Sequence, residues 1–143
     1  MDKYKELVIL IAEDDEGHAE LIMQGLKKSG VCNRMIHFVN GEEVWNFLTG
    51  KNDGEKFSDD NTYLLLLDIN MPIMDGVEVL KRMKDSDVMK RIPVIMLTTT
   101  DDPREVDRCY ELGCNVYVTK PVDFSMFAET LQRLGLFVQI VSL

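Results

Sequence analysis

The sequence predicts an α/β protein, one parallel sheet with helices packed on both faces. Three observations carry this. The runs Leu7 to Ala12 and Tyr63 to Leu67 are continuously apolar instead of alternating, as in strands covered on both sides. Strand-like and helix-like periods then alternate five times, an order that calls for right-handed crossovers between parallel strands. Finally, 143 residues with 45% hydrophobic content are enough for one domain whose core needs no metal or disulfide staple.

The elements follow in order. Leu7 to Ala12 is the first strand, stopped by Glu13-Asp14-Asp15. Glu16 to Ser29 reads as a helix with Ala19, Ile22 or Met23, and Leu26 on one side and Gly30 as the stop. Arg34 to Val39 is a shorter strand rich in β-formers. Asn40-Gly41 opens a helix over Glu42 to Leu48, with Val44, Trp45 and Leu48 at helical spacing. Gly50 to Thr62 is the one long polar connection, where mobility is expected. Tyr63 to Leu67 is the third strand. Asp75-Gly76-Val77-Glu78 resembles a capping box, and Val77, Leu80 and Met83 or Lys84 continue that helix. Pro93 to Leu97 is the fourth strand, ending in Thr98-Thr99-Thr100. Asp102-Pro103-Arg104-Glu105 starts a helix that ends near Gly113. Asn115 to Thr119 is a fifth strand before Lys120-Pro121, and Asp123 caps a last helix with Phe124, Phe127, Leu131 and Leu134 on one face.

This organisation implies a single domain over 1–143, with a core of about 7–134 and a C-terminal tail at 135–143 that is too short for an output domain. The charge, 25 acidic against 16 basic residues for a net −9, argues against nucleic acid or an anionic membrane as partner. No apolar run approaches a membrane span, and the polar N-terminus is unlike a signal peptide. Three cysteines (Cys32, Cys109, Cys114) without a CxxC pair read as reduced thiols, so a cytoplasmic location is expected. His18 and His37 fall at no strand end and are expected to be surface or structural residues; the nine methionines read as packing residues.

In a parallel sheet, chemistry gathers at the carboxyl ends of the strands. Those ends deliver Glu13 and Asp14, Asp68, Thr98 and Lys120: three carboxylates, a hydroxyl and an amine on one rim. Two carboxylates 4 Å apart repel by about 4 kcal/mol at an effective dielectric of ~20. Such a cluster must protonate, hold a cation or hold a lysine. Lys120 cancels one charge, and the remaining excess suits a hard ion with oxygen ligands, magnesium ahead of zinc. Taken singly, Asp14 or Asp15 could cap the first helix and Lys120 could be a surface turn residue. The joint placement at four strand ends favours a site. Strand phase favours Glu13 and Asp14 over Asp15, which then serves as the helix cap.

These residues resemble the receiver domain of two-component response regulators. The resemblance runs from Leu7 to about Leu134 and is carried by Ile9-Leu10-Ile11-Ala12-Glu13-Asp14, by Leu67-Asp68-Ile69-Asn70-Met71-Pro72 through Asp75-Gly76, by Pro93-Val94-Ile95-Met96-Leu97-Thr98, and by Tyr117-Val118-Thr119-Lys120-Pro121. It implies a flavodoxin-like doubly wound five-stranded sheet in the order 2-1-3-4-5 with five helices. It also implies a signalling phosphoacceptor that promotes its own phosphorylation and dephosphorylation without being an enzyme in the ordinary sense. Asp68 would accept the phosphoryl group from a histidine kinase. Glu13, Asp14, Asp68 and the backbone carbonyl of Asn70 would hold Mg2+, with Glu13 (Asp is commoner in the family) reaching it through a water. Thr98 and Lys120 would bind phosphoryl oxygens. Tyr117 would be the aromatic switch, altering the surface around Val106 and Tyr110, while Asn70 and Thr100 would tune hydrolysis. The Lys120-Pro121 bond is expected to be cis.

Within the family, the polar insertion before Tyr63, Thr98-Thr99-Thr100-Asp101-Asp102-Pro103, Gly113-Cys114-Asn115 and Lys120-Pro121-Val122-Asp123-Phe124 are most similar to the stand-alone regulators of bacterial phytochromes. That implies a bacteriophytochrome-type kinase as partner and a homodimer through the fourth helix, fifth strand and fifth helix. The apolar segment Leu136 to Val141 suits that contact or folds onto its own domain. Three rivals stand beside this reading. A dehalogenase-type hydrolase would need a second Asp where Asn70 stands. A flavodoxin-like cofactor binder would leave the acidic cluster unexplained. A phosphorylation-independent scaffold would have no use for intact acceptor, metal and lysine positions.

Overall fold

A computed structural model describes residues 6–120 together with 129, 130, 132 and 133. The elements are β1 (Glu6–Ala12), α1 (Glu16–Lys28), β2 (Met35–Phe38), α2 (Gly41–Thr49), β3 (Asn61–Leu67), α3 (Gly76–Lys84), a 3-10 turn (Met89–Arg91), β4 (Val94–Thr98), α4 (Pro103–Leu112) and β5 (Val116–Thr119). All neighbouring strands pair in parallel, in the order β2-β1-β3-β4-β5. This is the expected topology. Four α-helices lie among the described residues. The expected fifth is represented by helical residues 129, 130, 132 and 133. Phe124, Phe127, Leu131, Leu134, Pro121 with the bond to it, and the tail at 135–143 lie outside the described residues.

Strand alternation divides the interior into two cores. Val8, Leu10 and Ala12 of β1 and Leu65 and Leu67 of β3 pack with Val44 and Phe47 of α2 and Val77 and Leu80 of α3. Ile9, Ile11, Leu64, Leu66, Ile95 and Leu97 face the other way, onto Ile22 and Leu26 of α1. β1, β3 and β4 therefore bury both of their faces, as continuous apolar runs require, while the edge strands β2 and β5 stay largely half-buried. The open choices resolve to Ile22 over Met23 in α1 and to Met83 over Lys84 in α3. In α2 the periodicity misplaces one residue. Phe47 is the fully buried ring, while Trp45 only packs against the core from its edge, with the Arg82 guanidinium 5.8 Å from its ring.

Four polar side chains start the helices. Asp15 accepts from His18 N–H, Asn40 from Glu43 N–H, Asp75 from Glu78 N–H and Asp102 from Arg104 N–H. Each satisfies a donor that the first helical turn leaves unpaired. The capping box expected at Asp75 is not reciprocal, because the Glu78 carboxylate turns down the helix to Arg82 at 2.8 Å.

The long polar connection is pinned at several points. Phe57 stacks on Tyr63 with ring centroids 5.0 Å apart, its N–H donates to Phe47 O, and Glu55 pairs with Arg34 at 2.6 Å. One half-buried aromatic in an otherwise polar loop thus anchors it to the core. β3 starts at Asn61, ahead of the apolar run, because Asn61 and Thr62 continue the register opposite Glu6 and Leu7.

Candidate functional site

Register decides which side chains meet. Ala12 lies opposite Leu67, so Glu13 and Asp68 leave β1 and β3 side by side at the same level. Thr98 lies opposite Thr119, which puts Lys120 one residue past the end of the β4–β5 ladder. Backbone bonds hold these ends together. Asp68 N–H donates to Ala12 O at 3.1 Å, and Lys120 N–H donates to Thr98 O at 2.6 Å. The loop after Asp68 is held by Gly76 N–H on Ile69 O and Gly41 N–H on Met74 O.

Glu13, Asp68, Thr98 and Lys120 are the buried polar and charged side chains among the described residues, and all four share this rim. The Lys120 ammonium bridges Glu13 Oε1 and Asp68 Oδ2, the latter at 3.2 Å. Burial pushes the Glu13 carboxyl above the ordinary carboxylate range, against the opposing pull of Lys120. Carboxylate oxygens of Glu13, Asp14 and Asp68 lie within 4.8 Å of one another. Asp14 is exposed and forms the open side of the cluster.

This donor set fits a hard divalent cation. It offers only oxygens, it carries more negative charge than Lys120 cancels, and one ligand remains open to water. Thr98 adds an independent sign of a missing group: its hydroxyl is buried without a hydrogen-bond partner. A buried orphan hydroxyl is costly unless something that enters the site satisfies it.

The remaining predicted residues form a chain leading away from the rim. Asn70 N–H lies 3.4 Å from Asp68 Oδ1, and its side-chain amide donates to Thr100 Oγ1 at 3.3 Å. The Tyr117 hydroxyl donates to the Thr100 carbonyl at 2.5 Å, and Tyr117 N–H donates to the Tyr110 hydroxyl at 2.9 Å. Burial raises the Tyr117 phenol to about 12. Tyr117 thus reaches the β4–α4 loop at Thr100; Thr98 is not its partner. Val106 is half-buried on α4. Asp15 is confirmed as the α1 cap, and its amide also donates to Glu13 Oε2 at 3.1 Å.

Sequence reasoning missed one contact. The His37 ring nitrogen Nε2 lies 2.7 Å from the Glu13 carbonyl oxygen, so a residue assigned a plain structural role touches the acidic loop directly. Of the three cysteines, Cys109 and Cys114 are buried and Cys32 is exposed. Among the described residues, no helix is long and apolar enough to cross a membrane.

Comparison with known proteins agrees with this geometry. The family profile of the response regulator receiver domain matches residues 9–132. Response regulator Rcp1 of Synechocystis sp. is 38% identical over 130 residues, which is 91% of this chain and 87% of that protein. Its Mn2+-bound crystal structure superposes with a TM-score of 0.82 at 32% identity, covering 92% of this chain and 93% of the other. A receiver domain from Rhodospirillum rubrum superposes with a TM-score of 0.84 at 42% identity, covering 93% and 94%. The phosphorylated cyanobacterial phytochrome response regulator RcpA gives 0.79 at 28% identity, covering 94% of each chain. With strand order, acidic rim and family profile in agreement, the chain belongs to the response regulator receiver family and is a receiver of two-component signalling, the partner of a histidine kinase.

Proposed function

We propose that Asp68 accepts a phosphoryl group from a histidine kinase in a Mg2+-dependent reaction. The observation that carries this is the Asp68 carboxylate, held by Lys120 at 3.2 Å beside Glu13 and Asp14. Glu13, Asp14, Asp68 and the Asn70 carbonyl would hold the cation, which supplies positive charge against the transferring oxygens. An Asp68 oxygen attacks phosphorus in line, an O–P bond forms and the N–P bond of phosphohistidine breaks. The released imidazole nitrogen keeps the bonding pair. Lys120 neutralises charge on the transferring group, and the buried Thr98 hydroxyl gains the acceptor it lacks. Catalysis is then mostly positioning and electrostatics, and the receiver promotes both its own phosphorylation and its hydrolysis.

The acyl phosphate adds between about one and two negative charges beside Thr98. As Thr98 turns toward it, the loop carrying Thr100 follows and releases or redraws the Tyr117 hydroxyl bond. The face with Val106, Tyr110 and Tyr117 then changes its population of packings. Asn70 and Thr100, already bonded to each other, govern access of water to the product.

The finer readings are a single receiver domain over 1–143 in the cytoplasm, a bacteriophytochrome-type kinase as phosphodonor, and a homodimer through α4, β5 and the fifth helix. The likeness to Rcp1 and RcpA supports the kinase class. Phosphotransfer profiling tests it. A 32P-labelled bacteriophytochrome kinase passes label to this chain faster than unrelated kinases do and leaves Asp68→Asn unlabelled. Equal or faster transfer from unrelated kinases contradicts the kinase class, and labelling of Asp68→Asn contradicts the acceptor.

A further inference from the structure

The β1–β2 ladder ends in an unusual way at the acidic loop. Ile9 N–H donates to Arg34 O and Glu13 N–H to Phe38 O, both at 2.9 Å. In an evenly spaced parallel ladder, the Glu13 carbonyl would next accept the amide two residues beyond Phe38, that of Asn40. The chain has already turned by then. Asn40 is the N-cap of α2, its side chain occupied by Glu43 N–H, and Val39 N–H donates to Glu43 Oε1 at 3.1 Å. The rung that backbone would have supplied is filled by a side chain, His37 Nε2 at 2.7 Å from Glu13 O. A carbonyl oxygen only accepts, so Nε2 carries the hydrogen.

The bonded carbonyl belongs to the peptide plane that also contains the N–H and Cα of Asp14. Its orientation therefore aims Asp14, the exposed carboxylate of the cluster. Glu13 is fixed at its N–H by Phe38, at its side chain by Lys120 and Asp15 N–H, and at its C=O by His37. Removing the last leaves the plane from which Asp14 projects free to rotate.

We propose that His37 is a positioning residue for the cation site: its Nε2–H replaces the absent ladder rung, orients the Glu13–Asp14 peptide and thereby sets divalent-cation affinity. This rests on the reading of Glu13, Asp14 and Asp68 as cation ligands. Groups one bond removed from a ligand commonly carry a 10- to 100-fold effect on metal affinity, and about tenfold is expected here.

The experiment titrates Mg2+ by calorimetry and Mn2+ by electron paramagnetic resonance into the unaltered chain, His37→Phe and His37→Gln, with melting curves in EDTA alongside. His37→Phe keeps ring volume without the donor and is expected to bind both ions about tenfold more weakly. His37→Gln keeps an N–H at a similar reach and is expected to return affinity to within about twofold of the unaltered chain. A merely structural role shifts the melting temperature and leaves the affinities together. A folded His37→Phe with unchanged affinity overturns the proposal, and so does His37→Gln as weak as His37→Phe. Should His37→Phe not fold, ring 15N shifts of the unaltered protein decide: Nε2–H supports the proposal and Nδ1–H overturns it. Failure of the unaltered chain to bind either ion overturns the metal reading and this proposal with it, an outcome distinct from the others.

Discussion

Lys120 is the cation that lets Glu13 and Asp68 share a buried corner. Replacing it by Met leaves two carboxylates facing each other without a counter-charge. The expected loss is about 3 kcal/mol of stability in EDTA at neutral pH, read by chemical denaturation. The sign of its pH dependence follows from Glu13, whose carboxyl is already raised by burial. A carboxyl raised in the folded state takes up its proton there first, so lowering the pH from neutral through that raised value adds stability to the fold. The Lys120→Met deficit should therefore shrink in mild acid; a deficit that grows contradicts the assignment. At this scale the site was largely legible, because Glu13, Asp14, Asp68, Thr98 and Lys120 each sit at the end of a readable strand. His37 was not. Its partner is a backbone carbonyl 24 residues away, and the contact depends on where β2 turns aside, which no spacing pattern records.

The loop between β3 and α3 begins at Asp68, the proposed acceptor, and two glycines let it approach its neighbours. A Cβ on Gly76 would come within 2.0 Å of the Asp68 carbonyl oxygen, and one on Gly41 within 2.0 Å of the Met74 carbonyl oxygen. Both contacts are to backbone, which cannot swing aside. Gly76→Ala is therefore expected to cost about 3 kcal/mol or more and to displace Asp68, read by denaturation and by loss of phosphoryl uptake. Ile73 in the same loop has φ 71°, a left-handed conformation that β-branched residues avoid, while its side chain is 73% exposed. Ile73→Gly removes the strain and buries nothing less, so a gain of about 1 kcal/mol is expected; a loss contradicts the strain argument. Elements were readable where periodicity was strong. The α2 reading named Trp45 with Val44 and Leu48 and left out Phe47, because both rings are large and apolar and only the packing of α2 on Tyr63 and Phe38 selects Phe47. The Phe57 anchor of the polar connection was equally hidden, since one aromatic in a polar stretch has no period.

Across the whole molecule, parallel pairing turns four separate strand ends into one acidic rim, and the order of apolar runs already implied it. What the runs could not supply was the register, through which Ala12 opposite Leu67 and Thr98 opposite Thr119 bring the right residues level. The same packing buries titratable groups behind the rim. Burial pushes Cys109 up to about 11 and Tyr117 up to about 12, from ordinary values of 9.0 and 10.0. The unfolded chain loses these protons first, so stability holds below pH 9 and falls as pH rises from there toward 11 and 12. The Cys109 share is at most about 1.4 kcal/mol per pH unit. Guanidinium denaturation from pH 8 to pH 11 should show this decline, shallower in Cys109→Ala; parallel curves contradict it. The central claim, that this rim exists to phosphorylate Asp68, meets its most direct test in intact-protein mass spectrometry after incubation with Mg2+ and a small phosphodonor. The account predicts a gain of one phosphoryl group, mapped to the peptide containing Asp68, that disappears with EDTA and in Asp68→Asn. No gain in the unaltered chain, or a gain that survives in Asp68→Asn, contradicts it.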